Sequence, residues 1–438
     1  MLFRAMRSIV VLSILHVSRA LLLPQRSLAP RASIRLALDS LLANPRITAN
    51  DTYAEESRQY RRTVYMHDEW IKHRSSDRFF RNMMTIGQSG VTQNLGDELV
   101  VFTSIATAVV GANMLLQSYT DLEGVKHAGA LAGLWQWGPW SLPSMPFTVA
   151  MPALSLLLVF RTNTGYARWN EARTLWGGVV NTCRNVVRQS NTFYPRTLEG
   201  DMLRDRQKAN TAAFCKGLRN FLRGPTDDAV YRSELLEMAE AGLIPRRQVD
   251  ACMAAKNRPM FCLSAMSHNI RQAELDPMSR ARMDQSVAML VDLTGACERI
   301  FKSPVPLVYT RHTARFLTSF MICVPFGLWE ATGNYWNHWL TIPATAFLAF
   351  FLFGIEEIGI QIEEPFSILP LEALCSGAIS ATMDEMVEAN EAESFLFDDE
   401  LAALPTPSPS PVSKPGRVIK VGSVEVIVGG SVVPTSPK

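Results

Sequence analysis

The chain has 438 residues, 47% of them apolar and 19% charged, with a formal net charge of +2. Its mean hydropathy of +0.05 hides strong segregation, because apolar residues are bunched into a few windows and charges fill the stretches between. That pattern argues against a simple soluble enzyme, and no nucleic-acid partner is expected. The seven cysteines are scattered and never form a CxxC, so neither a disulfide framework nor a zinc site is implied. The seven histidines form no HxxH, HxxxH or ExxH pair, which di-iron and haem sites in membranes need on facing helices. GxxxxGK, GxGxxG and GxSxG are also missing, so no nucleotide or acyl-transfer signature is present and no catalytic residue is assigned.

The N-terminus, MLFRAMRSIVVLSILHVSRA, has Arg4 and Arg7, an apolar stretch from Ile9 to Val17 and a small residue at Ala20. Residues 1–20 thus have the layout of a secretory signal peptide, too short to span a bilayer comfortably. Residues 21–45 follow with Arg26, Arg31, Arg35 and serines, and with no acid before Asp39, a transit-peptide-like composition. Together they resemble the two-part leader of plastid proteins in algae with complex plastids, which implies a plastid membrane such as the thylakoid. A signal peptide followed by a basic mature start is the other reading, and it implies the plasma membrane or another endomembrane. Residues 54–94 form a basic, helical pre-membrane segment carrying Arg58, Arg61, Arg62, Lys72, Arg74, Arg78 and Arg81.

Four windows then qualify as membrane segments, near 99–119, 142–160, 307–333 and 339–355. The first contains no charge over 21 residues, enough to cross. The second is likewise uncharged, with Pro143, Pro146 and Pro152 breaking its first part. The third carries Arg311 and Arg315 at its foot and is uncharged only over 316–329. The turn EATGNYWNH joins it to the fourth, with Tyr335, Trp336 and Trp339 as interfacial aromatics. Bases crowd the stretch before the first span and the block 161–303, which holds 22 Lys+Arg against 15 Asp+Glu. The loop between spans one and two holds a single base, Lys126, and the turn between spans three and four holds none. This is the positive-inside pattern for two hairpins. Buried core helices of a soluble α-protein fit spans two to four individually but not these loop charges.

The block between spans two and three reads as helical. Leu175, Val179, Val180, Val186 and Val187 recur near helical spacing. Asp276 and Pro277 stand as N-cap and first residue of an amphipathic helix running to Phe301. The fold class expected is an all-α membrane protein, four transmembrane helices in two hairpins with a helical soluble block between spans two and three. Residues 397–438 form a Pro/Ser-rich tail that is expected to be disordered. Within it VIKVGSVEVIVGG alternates apolar and small residues and fits either a strand or a tail.

Three blocks carry a family resemblance: FRTNTGYARWNEARTLWG at 160–177, PVPLVYTRHTARFLTSFMICVPFGLW at 304–329 and FGIEEIGIQIEEPF at 353–366. In this order and spacing the chain resembles the bestrophin family, most of all its plastid and bacterial branch, and the channel domain is set at 95–396. The resemblance implies a homo-oligomer, a pentameric ring in a lipid bilayer, with one axial pore lined by the second span. It implies passage of chloride, with bicarbonate as a further candidate, and no enzymatic activity. A membrane-anchored helical scaffold or enzyme without conduction is the alternative. Such a tether has no need for an uncharged, proline-bent span joined to a basic helix.

Aligned on the RTN…RW anchor, the resemblance places Pro152, Leu156 and Phe160 at the pore neck. Their four-residue spacing stacks them on one helix face. An apolar ring there gates by dewetting or passes weakly hydrated anions, and the positive edge of the Phe160 ring favours an anion. Arg161, Asn163 and Arg168, with Arg173 beyond, are candidates for a funnel that concentrates anions. Snorkelling or pairing with carboxylates is the competing role for these arginines. Glu356, Glu357, Glu363 and Glu364 form a possible acidic cluster, in pairs seven residues apart on nearly the same helix face, and oxygen ligands suit Ca2+. The resemblance implies that animal members bind Ca2+ through a dense acidic run just after the PF element, where this chain reads SILPLE from Ser367 to Glu372. That departure points away from calcium regulation and toward pairing of the glutamates with arginines. No metal or other cofactor is expected.

Overall fold

The computed structural model describes residues 62, 64–120, 123–134, 138–333 and 338–389, with two strands at 417–421 and 424–428. The expected signal peptide (1–20) and transit-like segment (21–45), Tyr335 and Trp336 of the expected turn, and most of the 397–438 tail lie outside the described residues.

Two short helices, α1 (His67–Arg74) and α2 (Arg78–Met84), and the brief α3 (Gly90–Asn94) lead into α4 (Gly96–Leu116). Asp97 and Glu98 sit in the first turn of α4, where the positive end of the helix dipole favours them, and no charge follows to its end. The organising element is α5 (Met145–Phe193), a single helix of 49 residues. At 1.5 Å per residue it is roughly 74 Å long, more than twice the thickness of a bilayer's hydrocarbon core. Pro146 lies in its first turn, where the missing N–H costs nothing. Pro152 lies inside it, and the helix runs through with one backbone donor fewer.

Past the apolar part of α5 come α6 (Leu198–Arg223), α7 (Asp228–Glu240), α8 (Arg246–Ala254), α9 (Arg258–Gln272) and α10 (Pro277–Lys302). Side-chain caps set several starts. The Thr197 hydroxyl accepts from the Gly200 N–H at 3.1 Å, and Asn257 accepts from Met260 at 3.2 Å. Asp276 accepts from Met278 and Ser279 at 2.9 and 3.0 Å, with Pro277 behind it, as the sequence predicts. Helix α6 stops at Gly224, whose φ of +77° is a conformation only glycine adopts cheaply. The second hairpin is α11 (Leu307–Ala331) and α12 (Thr341–Glu363). Short helices α13 (Pro365–Ile368) and α14 (Leu371–Ala373) and a π-helical stretch (Leu374–Ala381) then return to the soluble block.

Two hydrophobic cores share α5. Leu154 and Leu158 pack with Leu95, Phe102, Leu317, Met321, Ala349 and Phe353 in the membrane-facing half. Trp176, Val179, Val186 and Val187 pack with Phe214, Leu218, Met266, Leu290 and Phe366 in the other.

Among the described residues three helices, α4, α5 and α12, are long and apolar enough to cross a membrane. The expected third span falls short on that measure, because Arg311 and Arg315 in the first half of α11 leave only 316–329 uncharged. The all-α expectation is also modified by two small antiparallel hairpins. Between α4 and α5, β1 (Tyr119–Thr120) pairs with β2 (Lys126–His127), Tyr119 opposite His127. In the tail expected to be disordered, β3 (Arg417–Val421) pairs with β4 (Val424–Val428), from Arg417 opposite Val428 to Val421 opposite Val424. The β-branched runs VIKV and VEVIV favour extended pairing despite the Pro/Ser tract before them.

Candidate functional site

Helix α5 buries one side and leaves a stripe exposed on the other, unbroken as far as Thr174 and interrupted at Gly178, which packs on Leu293. Leu154, Leu158, Arg161, Gly165, Ala172 and Trp176 are buried. Val149, Pro152, Leu156, Phe160, Asn163, Ala167, Asn170, Thr174 and Asn181 are exposed, at intervals of three, four or seven that keep them on one face. The stripe changes chemistry partway along: it is apolar as far as Phe160 and small or uncharged polar from Asn163 onward. Leu156 and Phe160 are 54% and 53% exposed, so the subunit itself does not cover two large apolar side chains.

The structure does not place Arg161 and Arg168 in that stripe. Arg161 is buried, and its Nη1 donates to Glu356 Oε1 of α12 at 2.7 Å. Arg168 donates from Nε to the Glu363 carbonyl at 3.0 Å, from Nη1 to the Ser303 carbonyl at 2.7 Å and from Nη2 to the Ile300 carbonyl at 2.8 Å. Those carbonyls end α12 and α10, where the helix dipoles are negative and have no further intrahelical donors. Arg168 therefore fastens two helix C-termini to α5 and is not free to serve as an anion funnel. Of the expected funnel residues only Asn163 is on the open face, and Arg173 beyond it is exposed.

The four glutamates do not converge. Glu356 binds Arg161; Glu357 Oε1 accepts from Asn94 at 2.7 Å and from Gln361 at 2.6 Å. Glu363 Oε1 accepts from the Val305 N–H at 3.2 Å, and Glu364 is exposed just past the end of α12. Among the described residues no three potential metal-ligating side chains come together. The expected pairing of these glutamates with arginine is seen at Glu356.

Two glycines let α12 approach α5 closely enough for the buried pair. A Cβ on Gly165 would lie 2.7 Å from Ile362 Cγ1 and 3.2 Å from the Gly359 carbonyl oxygen. A Cβ on Gly359 would lie 3.4 Å from Arg161 Cγ, so the arginine stem runs over that glycine. On the other flank the Tyr309 hydroxyl of α11 donates to the Leu157 carbonyl at 3.1 Å. Sequence reasoning missed Gly165, Gly359 and Tyr309, and it also missed the continuation of the stripe through Ala167, Thr174 and Asn181. The last had a signal, since small and polar residues recur there on the same period as the apolar ones before them.

Known proteins resemble this chain in sequence and in fold. The family described as Bacterial/Fungal Bestrophin protein matches residues 69–384. Voltage-dependent chloride channel 1, chloroplastic, of Arabidopsis thaliana is 31% identical over 346 residues, 78% of this chain and 77% of its own length. A voltage-dependent anion channel-forming protein of Synechocystis is 29% identical over 266 residues, 58% of this chain and 80% of its own. A crystal structure of a bacterial bestrophin homologue from Klebsiella pneumoniae has a similar fold, with a TM-score of 0.53 at 23% identity over 66% of this chain and 96% of that one.

Proposed function

The chain belongs to the bacterial/fungal bestrophin family, and from that membership we propose that it is an anion channel and not an enzyme, passing chloride and also bicarbonate. Five copies surround one axial pore, and each contributes the exposed stripe of α5. The observation that carries this reading is the stripe itself, unpartnered and in register from Val149 to Thr174, about seven helical turns. Lipid alone accounts for its apolar part but not for the polar part beyond Asn163. A closed ring of like copies gives both parts one partner, an aqueous axis. The names of the Arabidopsis and Synechocystis relatives, a chloride channel and an anion channel-forming protein, support the same reading.

In this assembly Pro152, Leu156 and Phe160 form an apolar neck, through which a weakly hydrated anion sheds water at the lowest cost. Asn163 and the small polar residues after it line the continuation. Helix α11 also spans the membrane, as the third of four spans: Leu317, Phe320, Met321 and Val324 lie in the same core as the other three, and Arg311 and Arg315 reach toward the headgroups. The chloroplastic relatives and the composition of residues 1–45 favour a plastid membrane, and the thylakoid is the membrane proposed. Conduction needs no Ca2+, so currents persist in EGTA.

The test is a reversal potential in planar bilayers under a chloride gradient, repeated with bicarbonate in place of chloride. The expected reversal lies near the anion equilibrium potential. A reversal near zero or on the cation side, or only monomers by mass photometry in mild detergent, would remove the reading.

A further inference from the structure

A cleft of about 630 Å3 opens between α6, α8 and α9, on helices that contribute nothing to the stripe of α5. Arg206, Arg247, Gln248, Phe261, His268 and Asn269 are among its lining residues, and no carboxylate lines it. Three of the nearby acids are engaged elsewhere: Asp201 pairs with Arg204, Asp250 with Arg232 and Glu240 with Arg246, while Asp205 is exposed and does not line the cleft. Among the described residues neither Arg206 nor Arg247 has a carboxylate partner, and the buried Nε–H of Arg206 has no acceptor. A half-buried guanidinium with an unused donor is a standing cost that a bound oxyanion would remove.

Asn269 supplies an independent pointer. It is only 1% exposed, and its Nδ2 donates to the Leu203 carbonyl at 2.8 Å and to Gln207 Oε1 at 2.8 Å. The Leu203 carbonyl can only accept, so it fixes which end of the amide is which. The other end, Oδ1, lacks a donor although Asn269 lines the cleft. A bare halide has no hydrogen to offer it. The volume is also that of a site for a small organic molecule rather than an ion.

We propose that this cleft binds a small polyhydroxylated phosphate ester. The phosphate lies against Arg206 and Arg247, whose planar donors suit its oxygens. A hydroxyl donates to Asn269 Oδ1, and the carbon skeleton rests on Phe261. The same chemistry is offered by a free sugar phosphate and by an inositol phosphate headgroup.

The test is calorimetric titration of the full chain in detergent with glucose 6-phosphate, inorganic phosphate and glucose. Saturable binding of the ester is expected, with inorganic phosphate at least about tenfold weaker because it cannot fill the cleft, and with no binding of glucose. Arg247→Gln, at an exposed position that leaves the fold intact, and Arg206→Gln should each weaken the ester about tenfold or more. Phosphatidylinositol vesicles that compete with the ester point to a headgroup, and vesicles that do not compete point to a free solute; both keep the chemistry of the cleft. Absence of saturable binding, equal affinity for inorganic phosphate, or unchanged affinity in both variants would overturn the proposal.

Discussion

Removing the carboxylate at Glu356 tests the buried pair that fixes α5 against α12. The Arg161 and Glu356 side chains are 8% and 10% exposed and meet at 2.7 Å, which places them in the buried regime. Glu356→Ala leaves the guanidinium in a dry site without a counter-charge, expected to cost about 3–5 kcal/mol. The double variant Arg161→Leu with Glu356→Leu removes both charges and should recover most of that loss, because an apolar pair avoids desolvation altogether. The coupling in a double-mutant cycle should therefore reach about 2 kcal/mol or more. At a few degrees per kcal/mol, Glu356→Ala should melt on the order of 10 °C below the wild type. Thermal unfolding followed by size-exclusion chromatography in one detergent reads all the variants on the same scale. If Glu356→Ala and the double variant melt together, near the wild type, then water or another group satisfies Arg161 and the argument from burial fails.

Leu156→Ala combined with Phe160→Ala is expected to raise single-channel conductance or abolish gating while the ring stays assembled, since truncation widens and wets an apolar neck. Both side chains are half-exposed in the subunit, so stability should stay within about 1 kcal/mol, against roughly 2–5 kcal/mol for each truncation in a packed core. Wild-type current and selectivity in a folded double variant would move the constriction elsewhere. Gly165→Ala is expected to destabilise by about 1–3 kcal/mol through overlap with Ile362, whereas Gly295→Ala on α10, with no atom within 4 Å of the new Cβ, should be neutral or slightly stabilising; equal melting of the two variants would contradict the close approach. Hydrogen bonds from Arg258 and then Asn220 hold the Asp228 carboxyl below the usual carboxylate range. A carboxyl depressed in the folded state stabilises above its unfolded pKa of about 3.9 and loses that contribution as pH falls through the lower folded value. The stability gap between wild type and Arg258→Ala should thus narrow on acidification through that window in urea titrations, and a gap independent of pH would refute the assignment.

The open face of α5 is readable in the sequence because it depends on one helix alone: a four-residue recurrence of Pro152, Leu156 and Phe160 needs nothing but helical geometry. The roles of Arg161 and Arg168 are not readable that way. Each side chain is long enough to reach several neighbours, and its partners lie on α10 and α12, some 132 to 195 residues away in sequence. The backbone approach at Gly165 and Gly359 decides which partners are in reach, and a glycine in an apolar helix does not announce such an approach. The separate partners of Glu356, Glu357 and Glu363 were not readable for a related reason. Heptad spacing puts two residues on one face, but it says nothing of the different elements that each end of a 23-residue helix meets. The β3–β4 hairpin was obscured by the Pro/Ser tract beside it, whose composition says nothing about the β-branched residues that follow.

The burial of Arg161 constrains how the proposed pore could select for anions. Arg161 follows Phe160 directly, yet about 100° of helix rotation carries it to the buried side, where Glu356 cancels its charge. A neutral pair behind the neck contributes little field on the axis, so selectivity at Phe160 must come from the ring edge and from the ease of dehydration. Attraction of anions toward the neck then falls to cations that stay on the open side, and Arg173 and Arg188 are exposed farther along α5. Arg188 also rests on Asn185, through Nε at 3.2 Å and Nη2 at 2.9 Å, which orients the guanidinium without neutralising it. Exposed charges at that distance from the neck raise the local anion concentration and are screened by salt over about 10 Å at 0.1 M. Their removal should therefore lower conductance mainly at low ionic strength and leave the anion-over-cation ratio nearly unchanged, whereas loss of the Phe160 ring should change that ratio at any salt concentration.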